Sequence, residues 1–100
     1  MTARGVTLSD RVTPAEEVLF KELEGEAVLL HLDVGRYFAL DPVGTRIWAL
    51  LREREGDLAA VLDGILAEFD VAREEAARDL LALLDELVAE RLVRVQTPPA

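Results

Sequence analysis

The dipeptide Asp41-Pro42 divides this chain into two kinds of pattern. Proline cannot donate to a strand ladder or a helix interior, yet it suits the first helical position, and an Asp just before it can accept from the free amides of a first turn. Strand-like alternation precedes the pair and helical spacing follows it. The stretch from Gly35 to Trp48 is therefore a short strand running straight into a helix, and the other segments are read outward from it.

Upstream, Glu17 to Leu23 and Glu26 to Leu32 are rich in strand formers, and Glu24-Gly25 between them suits a two-residue hairpin. Val28, Leu30 and Leu32 share one face of the second strand, which leaves Ala27, Leu29 and His31 on a face less polar than a solvated one should be. Asp33-Val34-Gly35 is a second tight connection, with Gly35 placed for a positive φ. Arg36 to Leu40 follows as the third strand of an antiparallel meander, which puts it at an edge. No Pro or Lys blunts that edge, so it is expected either to be covered by the chain itself or to be used for pairing. With Phe38 and Leu40 toward the core, Tyr37 and Ala39 look outward.

Downstream, Val43, Ile47, Leu50 and Leu51 fall on one helical face with Trp48 at its flank, and Gly56 ends the helix after a charged run. Asp57 can cap a second helix whose Leu58, Val61, Leu62, Ile65, Leu66 and Phe69 keep an amphipathic stripe. A third helix is expected from about Ala72 to Arg91, with an apolar arc of nearly half its circumference. One flank of the arc packs on the first two helices, and the other, around Ala77, Leu81 and Val88, is left for the sheet or a ligand. Residues 1–16 read as an N-terminal arm with room for one short extended piece, Leu92 to Val95 as another such piece, and residues 96–100 as a flexible tail. The fold class is α+β, a three-stranded antiparallel sheet followed by three helices, in one domain over residues 17–95.

Composition narrows the function. The absence of cysteine removes disulfides, thiolate catalysis and Cys-ligated metal sites. The first ten residues lack the roughly 7–15-residue apolar run of a signal peptide, and no run approaches the ~20 residues of a membrane span, so the expected location is cytoplasmic, away from membranes. A formal charge of −9, from 20 acidic and 11 basic residues, repels nucleic acid and anionic lipid. The single histidine, His31, shares a strand face with Asp33, but no second His or Cys completes a metal set, and a structural or surface role is expected. The carboxylates of the helices mostly lie off the apolar stripes as a solvated face. Without a phosphate loop, nucleophile elbow or triad, no catalytic, cofactor or metal residue is assigned and the chain is not expected to be an enzyme.

Tyr37-Phe38-Ala39-Leu40-Asp41-Pro42-Val43-Gly44-Thr45-Arg46-Ile47-Trp48-Ala49-Leu50-Leu51 at the strand-to-helix junction, the Glu22 to Leu30 hairpin and the long helix ending Leu83 to Val93 come in an order that resembles the PqqD-like family over residues ~17 to ~95. These are the leader-peptide recognition elements of ribosomally made, modified peptides. The resemblance implies a small winged-helix-like domain that takes up the leader of a precursor peptide as a strand antiparallel to the third strand, in a groove beside the third helix. Carried over, the peptide-binding residues are Arg36, Tyr37, Phe38, Ala39 and Leu40 on the strand and Ala77, Leu80, Leu81, Leu84 and Val88 on the helix. It also implies delivery to a separate enzyme, either a radical enzyme using S-adenosylmethionine, as in pyrroloquinoline quinone biosynthesis, or the leader peptidase of a lasso-peptide system. The Gly-x-x-Ile-Trp form is closer to lasso-type members.

Two other readings remain at this point. A winged-helix DNA-binding or regulatory module would use the third helix as reader, against a helix dominated by Glu, Asp and Leu. A small homodimeric scaffold would pair the free edge with its copy.

Overall fold

A computed structural model describes residues 5–96; the first four residues of the arm and the tail segment Thr97 to Ala100 lie outside the described residues. In chain order the elements are β1 (Arg11–Pro14), β2 (Val18–Leu23), β3 (Glu26–His31), β4 (Arg36–Leu40), α1 (Pro42–Glu53), α2 (Leu58–Glu68), α3 (Arg73–Ala89) and β5 (Val93–Gln96). Strands β2, β3 and β4 form an antiparallel sheet in that order, and three helices follow, the α+β arrangement expected from the sequence. The two outlying extended pieces find each other: β1 pairs antiparallel with β5 in a separate two-stranded sheet.

Local chemistry explains the punctuation. Glu24 and Gly25 both have positive φ (56° and 83°), the two left-handed residues that the tightest hairpin turn requires. Asp41 caps α1, its Oδ1 accepting from the Gly44 N–H at 2.7 Å, and Asp57 caps α2 by accepting from the Ala60 N–H at 3.2 Å. Gly56 (φ 82°) closes the α1–α2 turn, where a Cβ would stand 2.6 Å from the carbonyl oxygen of Val12. That close approach lets the Val12 N–H donate to the Gly56 carbonyl at 3.0 Å, which ties β1 to the helices.

The sheet gives one face to the helices. Its inward face carries Ala27, Leu29 and His31 of β3, opposite Leu40, Phe38 and Arg36 of β4. Val28 and Leu32 are exposed and Leu30 half-buried, so the more apolar-looking face of β3 is the outer one. Strand β4 sets this parity. Leu40 enters the core one residue before the α1 cap, so α1 lies over the face that bears Leu40, and the small Ala27 opposite lets the helix approach. Phe20 on β2 then stacks on Trp48 of α1, with ring centroids 6.3 Å apart and planes 8° off parallel. Leu50 and Leu51, the α2 residues Leu58, Val61 and Leu62, and the α3 residues Leu80, Leu84 and Leu87 complete the core. Trp48 is fully packed, and its indole nitrogen meets no acceptor among the described residues.

On the far side of the helices, Arg46 of α1 clamps two carboxylates. Its guanidinium donates to Glu68 of α2 through Nε at 2.7 Å and Nη2 at 2.6 Å, and to Glu53 through Nη1 at 3.0 Å. The hydrogen bonds from Arg46 hold the Glu68 carboxyl below its ordinary value. Among the described residues no helix is long and apolar enough to cross a membrane.

Two outcomes follow for stability. Trp48→Ala empties the space between sheet and α1 and should cost about 3–5 kcal/mol in urea denaturation. A carboxyl lowered by folding contributes stability above its unfolded-state value of ~4.3 and loses it as pH falls through the folded value. Glu68→Gln should therefore be less stable than wild type at neutral pH, and the two thermal midpoints should converge as pH falls below about 4.

Candidate functional site

Strand β4 is an edge of the sheet, with β3 on one side and no strand on the other among the described residues. Residues 11–14 of the arm do not cover it, because β1 is spent on β5. Which backbone groups are free follows from two bonds. The Leu32 N–H donates to the Glu17 carbonyl on the β2 side, and the Gly35 N–H donates to the His31 carbonyl on the β4 side. Alternation from these points turns Ala27, Leu29 and His31 toward β4, so Arg36, Phe38 and Leu40 bond to β3. The N–H and C=O groups of Tyr37 and Ala39 are left pointing outward from the edge.

Alongside the edge runs a groove whose far wall is α3. At one end a cavity of about 230 Å³ is lined by Arg36, Tyr37 and Phe38 from the strand and by Ala89, Glu90 and Leu92 from the helix end. The Arg36 guanidinium reaches across to Glu90 at 3.3 Å. Farther along, a second hollow of about 370 Å³ lies between Asp41, Val43 and Ile47 and the α3 residues Asp79, Leu83 and Glu86. Val43 and Ile47 also border a third, more apolar hollow of about 230 Å³ between α1, α2 and the start of α3. The wall is thus an α3 stripe at helical spacing, Asp79, Leu83, Glu86 and Glu90, apolar at one position and acidic at three.

The sequence-derived site residues separate on this geometry. Arg36 to Leu40 form the edge strand, with Tyr37 76% exposed, Phe38 half-buried at the groove end and Leu40 buried in the core. On α3, Leu80 and Leu84 have no exposed surface and belong to the core behind the wall. Ala77, Leu81 and Val88 occupy the opposite flank, near the place where the Val6 N–H donates to Asp85 Oδ1 at 2.9 Å. The flank toward the strand is the one bearing Leu83. An apolar wheel favours Leu81 and Leu83 equally; the strand-side hollow is lined by Leu83, and the Val6 N–H meets Asp85 on the other flank. Asp79, Glu86, Glu90 and Val43 are the groove residues that periodicity missed, since three are charged and read as solvated surface. Their spacing, in register with Leu83, was the available signal.

His31 lies at the Arg36 end of the groove, buried, with no hydrogen-bond partner for Nδ1 among the described residues. No group of three His, Cys, Asp or Glu side chains among the described residues is placed to hold a metal ion.

This arrangement, an open strand edge beside a helix-walled groove, accompanies a family match. The family model of coenzyme PQQ synthesis protein D (PqqD) covers residues 26–93. The chain belongs to the PqqD family. The match spans β3 through the first residue of β5 and so includes both walls of the groove. Among solved structures, one described as TbiB1 in complex with the TbiA(beta) leader peptide is 39% identical with a TM-score of 0.76, covering 82% of this PqqD-family chain and 94% of that one. A lasso peptide synthetase B1 complexed with the leader peptide is 24% identical with a TM-score of 0.74, covering 84% of this chain and 98% of that one, and it shows a shared fold. No curated protein matches the sequence.

The placements on α3 are separable by stability. Leu84→Ala, behind the wall, should lower the unfolding free energy by about 2–5 kcal/mol. Arg36→Ala, which removes only an exposed ion pair, should lower it by less than about 1 kcal/mol in the same denaturation experiment.

Proposed function

We propose that this chain binds the leader segment of a ribosomally synthesised precursor peptide as a strand added to β4 and presents it to a separate modifying enzyme. The observation that carries this is the pair of outward N–H and C=O sets at Tyr37 and Ala39 beside a groove walled by α3. A peptide in extended form satisfies those groups without regard to its sequence, and alternate side chains enter the groove, where fit decides selectivity. The leader peptide held by the 39% identical TbiB1 supports the same use here.

The groove specifies the guest in broad terms. Phe38, Val43, Ile47 and Leu83 offer apolar contact, while Asp79, Glu86 and Glu90 favour neutral or basic side chains. Backbone pairing plus a few apolar anchors is consistent with affinities of roughly micromolar to nanomolar. The protein acts as a binding partner and not as a catalyst. The receiving enzyme is the leader peptidase of a lasso-type system, to which the Gly44 to Trp48 segment is closest in form, or a radical enzyme using S-adenosylmethionine. Nucleic acid is disfavoured, because the acidic stripe of α3 would face its phosphates.

Titration of the protein with a fluorescently labelled leader from its own precursor tests the reading. Saturable binding below about 10 µM is expected, and no binding at tens of micromolar would overturn it. Ala39→Pro removes one outward N–H while sparing the β3 ladder, since Ala39 makes no bond to that strand. That variant should retain the wild-type circular dichroism spectrum and weaken leader binding by at least about tenfold, roughly one charge-free hydrogen bond with its neighbouring contacts.

A further inference from the structure

The outer face of the three-stranded sheet is uncovered among the described residues and largely apolar. Leu19, Leu30 and Tyr37 lie across it in one row and Lys21, Val28 and Ala39 in the next, with Leu32 beyond the end of β3. Leu19 is 55% exposed, Val28 42% and Leu32 54%. A depression of about 540 Å³ lined by Leu19, Leu23, Val28, Leu30 and Ala39 opens on this face. An antiparallel sheet with one face on the core normally turns polar residues to water on the other, and contiguous apolar patches on soluble proteins mark interaction sites.

We propose that this outer face docks the enzyme that receives the bound precursor, through an apolar enzyme surface ringed by Lys and Arg side chains; the proposal rests on the leader-binding reading above. Charge selects the occupant. Glu24 and Glu26 at the β2–β3 turn and Asp33 at the β3–β4 turn border the face, all exposed, and no ion pair engages them among the described residues. Lys21 is the face's one cation among the described residues. A second copy would bring the same bordering carboxylates, on a chain of charge −9, against themselves, whereas a basic rim complements them. Position argues the same way. Tyr37 and Ala39 place side chains on this face and free backbone groups on the adjoining edge, so a strand added at β4 extends the face by one strand and sets its own outward side chains beside Tyr37. An enzyme seated on the face therefore lies against the leader it must read.

The test uses the purified full chain, its leader peptide and the precursor-processing enzyme of the same pathway, with binding of each measured by biolayer interferometry and mass by sedimentation. Leu19→Asp and Val28→Asp place charge on the face without touching the core, and Glu24→Lys with Glu26→Lys reverses the rim without touching the apolar residues. Each should weaken enzyme binding by at least about tenfold while leader affinity stays within about twofold of wild type. Unchanged enzyme affinity in these variants, with leader binding intact, would overturn the docking surface alone. So would a wild-type dimer that Val28→Asp converts to monomer, since a second copy would then be the occupant. Failure of the wild type to bind leader would overturn the leader-binding reading and this proposal together.

Discussion

A three-stranded sheet has two faces and two edges, and one layer of helices can cover only one face. The seating of α1 on the inward face, with Phe20 stacked on Trp48 and Leu40 and Ala27 beneath the helix, is the contact on which the rest of the structure depends. It buries the inward face of the sheet and at once leaves the β4 edge and the outer face without a partner strand or helix among the described residues. Burial of the large aromatic and aliphatic groups at this contact is worth more than any hydrogen bond or surface ion pair in the molecule. The open edge is therefore held by a rigid support rather than by its own interactions.

The groove depends on the same contact at one remove. Because Asp41 caps α1 directly after Leu40, the strand and helix are joined without a loop, and the orientation of β4 is fixed by α1. α3 packs on α2 and keeps Leu80, Leu84 and Leu87 inward, so its stripe from Asp79 to Glu90 is presented to the strand side as a consequence. Of that stripe only Leu83 packs against the core, and it is half-buried. The stripe's acidic residues lie at the protein surface and line the strand-side hollows, with Glu90 paired to Arg36 across them.

Much of this was legible in the residues. The hairpin at Glu24-Gly25, the β-to-α switch at Asp41-Pro42, the α2 cap at Asp57 and the edge position of β4 all follow from turn chemistry and period, which act over a few neighbouring residues. The face of β3 was not legible. Val28, Leu30 and Leu32 look like a core stripe, yet Ala27 and Leu29 are the buried ones, because the smaller residue fits under α1. The flank of α3 was equally hidden, since Leu81 and Leu83 are indistinguishable on a wheel.

The sequence by itself determined the elements, their order, the family and the strand that ends at Leu40, because propensity, capping and alternation are local properties of the chain. Tertiary structure alone decided which face of β3 is inward, that residues 11–14 pair with residues 93–96 rather than with β4, and that Leu83, Glu86 and Glu90 wall the groove while Leu80 and Leu84 stand behind it. Each of those depends on which of two apolar surfaces finds the better-fitting partner, a property of packed pairs that no single segment carries.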